Sequence, residues 1–98
     1  MFRVQPSETK EKKKITPAVE VAVLDQQGNL VTSGSIEVKL DLVGDRRAKL
    51  HGGSKEQTRS GIATFSDLSV DREGDYRLRA SAGGLPSVDS DRFEVKDD

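Results

Sequence analysis

The chain has no cysteine, so neither a disulfide nor a thiolate metal site can form. It has a single histidine, His51, which excludes a metal site of several histidines and any Cys–His couple. No apolar run approaches the roughly 20 residues that a helix needs to span a bilayer. No signal-peptide n-region and h-region is present in these residues. Neither sign of charge predominates: 16 Lys plus Arg stand against 17 Asp plus Glu, which gives no global pull toward nucleic acid or anionic membrane. Period-3.6 apolar patterning with caps is missing as well. Catalytic constellations are equally scarce. Ser54 and Ser60 lie near His51, but no Gly-x-Ser-x-Gly turn frames them. Gly52-Gly53 lacks the phosphate-loop pattern. The chain is therefore expected to be neither an enzyme nor a cofactor carrier.

What is present is alternation. The 98 residues suffice for one domain, read here as spanning 1–98. Charged residues make up 34% and hydrophobic ones 33%, a balance that raises the question of disorder. Period-2 patterning answers it, because a disordered chain has no reason to alternate.

Residues 61–81, GIATFSDLSVDREGDYRLRAS, carry the clearest pattern. Ile62, Ala63, Thr64 and Phe65 read as a short strand. Leu68 and Val70 alternate with Ser69 and Asp71. A polar turn at Asp71, Arg72, Glu73, Gly74 and Asp75 follows, with Gly74 free to take a positive φ. Tyr76, Leu78 and Ala80 then alternate with Arg77, Arg79 and Ser81, giving one buried and one wet face. Asp-x-x-Gly-x-Tyr-x-Leu from Asp71 to Leu78 looks like a tyrosine corner, in which the hydroxyl bonds back to the chain upstream. Tyr76, Gly74 and Asp71 are thus structural candidates; the plainer reading of Tyr76 is an ordinary half-buried strand tyrosine.

Elsewhere, Phe2 and Val4 form a first strand that Pro6 stops. Residues 7–14, SETKEKKK, contain no apolar side chain and read as an exposed connection, its lysines solvated. Val19, Val21 and Val23 make a central strand. Asp25, Gln26, Gln27, Gly28 and Asn29 form a hairpin-type turn with Gly28 at positive φ. Ile36, Val38, Leu40 and Leu42 alternate with Glu37, Lys39 and Asp41 as a half-buried strand. Between 45 and 60 the signal weakens to a short strand near Ala48 and Leu50, a Gly52-Gly53 turn, and a charged edge strand near 55–59. Gly83-Gly84 reads as a turn, and Val88, Phe93 and Val95 as the last strand. About seven antiparallel strands with turns every ~8–12 residues are expected, an all-β sandwich of immunoglobulin-like type.

Three segments together resemble one family. They are Phe2-Arg3-Val4-Gln5-Pro6-Ser7, then Ile15-Thr16-Pro17-Ala18-Val19 leading to Val23-Leu24-Asp25 with Gly28-Asn29, then residues 61–71 with Gly74 and Tyr76. They are similar to the bacterial immunoglobulin-like repeat of large surface and secreted proteins, and more distantly to the modules of invasin and intimin. That resemblance implies a β-sandwich usually strung in tandem as a stalk, spacer or adhesive unit, with an extracellular or cell-surface location. The expected partners are neighbouring domains of the same chain, and the expected state is a monomer without membrane insertion. An odd number of strand crossings would leave the chain ends at opposite poles, as in a module cut from a longer polypeptide with Met1 added at the cut.

Two clusters are candidate sites. Asp67, Asp71, Glu73 and Asp75 crowd one turn, with Asp89 and Asp91 expected nearby, and such an acidic loop suits Ca²⁺. The competing reading is that Asp71 accepts hydrogen bonds within its own turn and the others are solvated. Arg46, Arg47, Lys49, His51, Lys55 and Arg59 form a basic stretch that suits an anionic glycan or an acidic protein patch. It holds no aromatic residue for base stacking, so nucleic acid is not expected. The competing reading is a solvated edge whose charges block strand pairing.

Overall fold

The structure, a computed structural model, describes residues 1–83 and 85–97. It is all-β: the described residues include no helix, and hence none long and apolar enough to cross a membrane. Eleven strand segments follow in order: β1 (Phe2–Val4), β2 (Thr9–Lys10), β3 (Val19–Ala22), β4 (Glu37–Val43), β5 (Leu50–His51), β6 (Lys55–Gln57), β7 (Ile62–Phe65), β8 (Ser69–Val70), β9 (Gly74–Ser81), β10 (Val88–Asp89) and β11 (Phe93–Lys96). Seven of them run to three residues or more.

Three sheets form. The smallest pairs β5 with β8, a second has the order β1-β3-β7, and the largest runs β2-β11-β9-β4-β6, with β10 also paired to β9. Pairing is antiparallel except between β2 and β11, which run parallel with Thr9 opposite Val95. The strand cores follow from alternation. In β9, Tyr76, Leu78 and Ala80 are buried while Arg77 and Arg79 are exposed. In β4, Val38 and Leu40 are buried between exposed Glu37, Lys39 and Asp41. The second sheet contributes Phe2, Val19, Val21, Ala63 and Phe65 to the same apolar cluster. One core between the two larger sheets is the arrangement of a β-sandwich.

The strand register fixes the two poles. β9 runs from Gly74, opposite Val95 of β11, to Ser81, opposite Lys39 of β4. Beyond the Ser81 end lies Met1, which lines a cleft with Ala80, Ser81 and Ala82. At the Gly74 end, Lys96 closes β11. The chain therefore enters β1 at one pole and leaves β11 at the other, in a body 41 × 20 × 16 Å.

Several local outcomes differ from the pattern-based expectation. Residues 7–14 are not connection throughout, because Thr9 and Lys10 form the edge strand beside β11. The last strand is interrupted: β10 and β11 are separate, and buried Ser90 sits between them. Val88, in β10, is exposed, while Phe93 and Val95 in β11 are buried. The turn expected at Gly83-Gly84 falls partly outside the described residues. Next to it, Leu85 donates its N–H to the carbonyl of Ala82 at 3.0 Å.

Candidate functional site

The basic stretch does not form a patch of its own. It leaves β4 at the Gly74 pole, where Asp45 caps a turn by accepting the Arg47 N–H at 2.9 Å and pairing with the Arg47 guanidinium at 3.3 Å. These bonds hold the Asp45 carboxyl below its usual range. Arg46, Lys49 and His51 are exposed around this turn and along β5. Lys55 then begins β6, opposite Lys39. Gln57 lies opposite Glu37 at the far end of β4, so Arg59 reaches the other pole. From Val43 to Glu37, that path covers about 20 Å at the usual strand rise. Arg46 and Arg47 are therefore separated from Arg59 by about half or more of the molecule's 41 Å length.

The acidic residues do something other than gather around an ion. Asp71 Oδ1 accepts the Lys49 N–H at 2.8 Å, and Asp71 Oδ2 lies 3.3 Å from His51 Nε2. Asp67 Oδ1 accepts the Gly53 N–H at 3.0 Å. The two carboxylates thus tie residues 49–53 down onto β8, extending the two-residue ladder between Leu50 and Val70 and between His51 and Ser69. The Lys49 N–H, and after it His51, depress the Asp71 carboxyl. The partner of Asp71 is 22 residues away, not in its own turn, and the reason is the register of β5 on β8. Glu73 and Asp75 are exposed and take no part. Asp89 belongs to a different neighbourhood, in a bidentate pair with Arg79 at 2.8 and 3.2 Å. The Asp91 N–H is bound by Gln5 Oε1 at 2.8 Å. Among the described residues, no three His, Asp or Glu side chains converge as a metal centre requires.

Tyr76 seals the Gly74 pole. Its ring is 1% exposed and stands 6.2 Å from that of Phe93, tilted by 42°. Its hydroxyl donates toward the carbonyls of Arg72 at 3.0 Å and Glu73 at 3.1 Å. Desolvation raises the phenol above its ordinary value of 10.0, which keeps the proton on the donor. Gly74, φ +146°, opens β9 with its Cα beside that hydroxyl. Gly44 lies flat against the other edge of the ring.

The opposite pole is apolar, and nothing in the sequence pattern singled it out. A cleft of about 290 Å³ opens between Val23 and Leu24 on one side and Leu85, Pro86 and Val88 on the other. Small residues line its floor: Ala22, Ala80 and Ala82. Of the exposed large hydrophobic residues among the described ones, Met1, Leu85 and Val88 line it, and Leu30 bridges to Leu24 at its side. The available signal was the pairing of these residues with three alanines, which leaves the two sheets unfilled where they part.

His51 has Asp71 as its neighbour, and among the described residues no serine lies in hydrogen-bond contact with it. No family model matches the chain, and no curated protein matches it.

Proposed function

We propose that this chain is an immunoglobulin-like β-sandwich module that acts as a non-enzymatic spacer or adhesive unit within a longer surface or secreted protein. Lettering the seven longer strands A to G in chain order supports the immunoglobulin-like part. A, B and E (β1, β3, β7) share one sheet, and C, F and G (β4, β9, β11) share the other, as in that fold. The fourth strand, β6, joins C rather than E, a departure from the constant type. The Tyr76 hydroxyl bond to residues three and four positions upstream supports the same reading.

One observation carries the spacer role: the chain enters and leaves at opposite poles, and β2, the second strand of the entering segment, runs parallel to the last strand, β11. Tension along the chain loads β1 against β3 and, beyond β1, slides β2 past β11. Their hydrogen bonds, including Glu11 N–H to Lys96 O at 2.9 Å, are loaded together instead of being unzipped one by one.

Force spectroscopy on concatenated copies tests this. Pulling through the chain ends is expected to give discrete unfolding at a force clearly above that for pulling across the sheet. Glu11→Pro removes the N–H that bonds Lys96 and suits a turn whose next residue, Lys12, has φ +63°. It is expected to lower the end-to-end force. Equal forces in both pulling directions, with Glu11→Pro silent, would count against a load-bearing spacer.

A further inference from the structure

The two basic runs of the sequence, 12–14 and 46–49, lie far apart in the chain and meet across β8. Val70 donates nothing to Lys12; it accepts, its carbonyl taking the Lys12 N–H at 2.8 Å. The Asp71 N–H belongs to the same peptide group, points the opposite way, and donates to the Lys49 carbonyl at 3.3 Å. Lys12 and Lys49 therefore flank β8 from its two sides, with their backbones about 10 Å apart at twice the usual strand spacing. Ile15 N–H to Leu68 O, at 2.8 Å, holds the first run along the strand. The β5 ladder holds the second. Arg72 lies two residues beyond β8, and the Glu73 N–H next to it binds Glu11 Oε1 at 3.2 Å, which brings the segment after β8 against the first run.

Lys12, Lys13, Lys14, Arg46, Lys49 and Arg72 are all exposed, and none is in an ion pair among the described residues. The carboxylates among them keep their charge, but most are engaged in bonds within the fold and, among the described residues, none pairs with these six cations. Asp67 and Asp71 accept backbone N–H groups, Asp45 holds Arg47, and Glu11 holds Glu73 N–H. Glu73 stays exposed beside Arg72.

We propose that this face binds a linear sulfated glycan, laid along β8 with its anionic groups reaching both flanking rows. The face carries no aromatic side chain for base stacking and no exposed apolar anchor of the kind that centres a protein interface. Point charges must do the recognising. Asp45 and Glu73 stand among the cations. They repel any anion, but they also accept hydrogen bonds from the free hydroxyls of a sugar chain, which the phosphate backbone of a DNA duplex does not offer. The proposal goes beyond the spacer reading and does not depend on it.

The test is titration of a heparin-derived octasaccharide at physiological salt, followed by amide chemical shifts and calorimetry. Saturable binding is expected, with shifts on both sides of β8. The triple change Lys12→Glu, Lys13→Glu, Lys14→Glu and the double change Arg46→Glu, Lys49→Glu should each weaken it about tenfold or more, since several screened contacts are lost. Arg59→Glu, at the other pole, should leave it unchanged. Circular dichroism checks that the variants stay folded; for any variant that does not, the shift map of the unaltered protein decides. Absence of binding, shifts confined to 55–59, loss on Arg59→Glu, or equal binding of duplex DNA would each overturn the proposal. None of these outcomes would alter the force measurement.

Discussion

Leu78 gives its buried backbone N–H to the side chain of Ser90: the Ser90 Oγ accepts it at 2.9 Å, and the hydroxyl passes its own proton to the Asp91 carbonyl at 2.9 Å. The Ser90 N–H in turn binds the Leu78 carbonyl at 2.7 Å. A hydroxyl thus stands in for a ladder bond where β10 ends and β11 has not begun. Thr58 does the same at the edge beyond β6, its Oγ1 accepting the Ile36 N–H at 3.0 Å. Ser90→Ala should leave the Leu78 N–H without a partner in the core and destabilise by about 1–3 kcal/mol. Urea denaturation measures this directly, and Ser90→Thr is expected to recover part of the loss.

Tyr76→Phe keeps the ring and removes only the hydroxyl. A loss of roughly 1–3 kcal/mol is expected, because two partly buried carbonyls lose their donor. A neutral result would show that the hydroxyl merely sits near those carbonyls.

Gly44→Ala attacks the same corner from the other side. An added Cβ would stand 2.6 Å from Tyr76 Cδ1 and 3.1 Å from the Asp75 carbonyl, at a φ of +150° that side chains rarely adopt. Neither the buried ring nor the strand backbone can yield cheaply, and a cost of about 1–3 kcal/mol is expected. A double change with Tyr76→Ala should be less than additive, since it removes the clash.

Acid should loosen the strap at 49–53. Asp71 has a carboxyl lowered from 3.8 in the folded protein. The folded form therefore binds this proton less readily than the unfolded chain. Its stabilising effect is present above 3.8 and is lost as pH falls through the lower folded value. Asp45 and Asp89 act in the same direction through Arg47 and Arg79. Melting temperature is expected to fall modestly as pH drops from 3.8 through the lower folded values, and less in Asp71→Asn, which keeps an acceptor for Lys49 N–H but does not titrate.

The strands were legible because alternation is a local property. Ile62–Phe65 has the bounds that its apolar run suggests, and the 25–29 turn has Gly28 at φ +83° with Asp25 accepting from Gln27 and Asn29. What escaped the pattern depends on which segments meet. Thr9 and Lys10 carry no apolar signal, and they form a strand only because β11 offers them an edge. Asp67 and Asp71 look like ligands when read in a line, and become tethers once β5 lies beside β8. Lys12 and Lys49 are 37 positions apart in the chain, and only the carbonyl and amide of one peptide, Val70–Asp71, make them neighbours. Ser90 is a lone polar residue among acidic ones, and its burial follows from a gap in pairing that no periodicity announces.

The chain is lopsided lengthwise. Met1, Leu85 and Val88 are uncovered around a cleft at one tip, while the other tip ends in lysines, arginines and carboxylates. On a water-repellent solid such a molecule should stand upright instead of lying flat, greasy foot down and ionic crown outward. A dense layer would then present every copy the same way round.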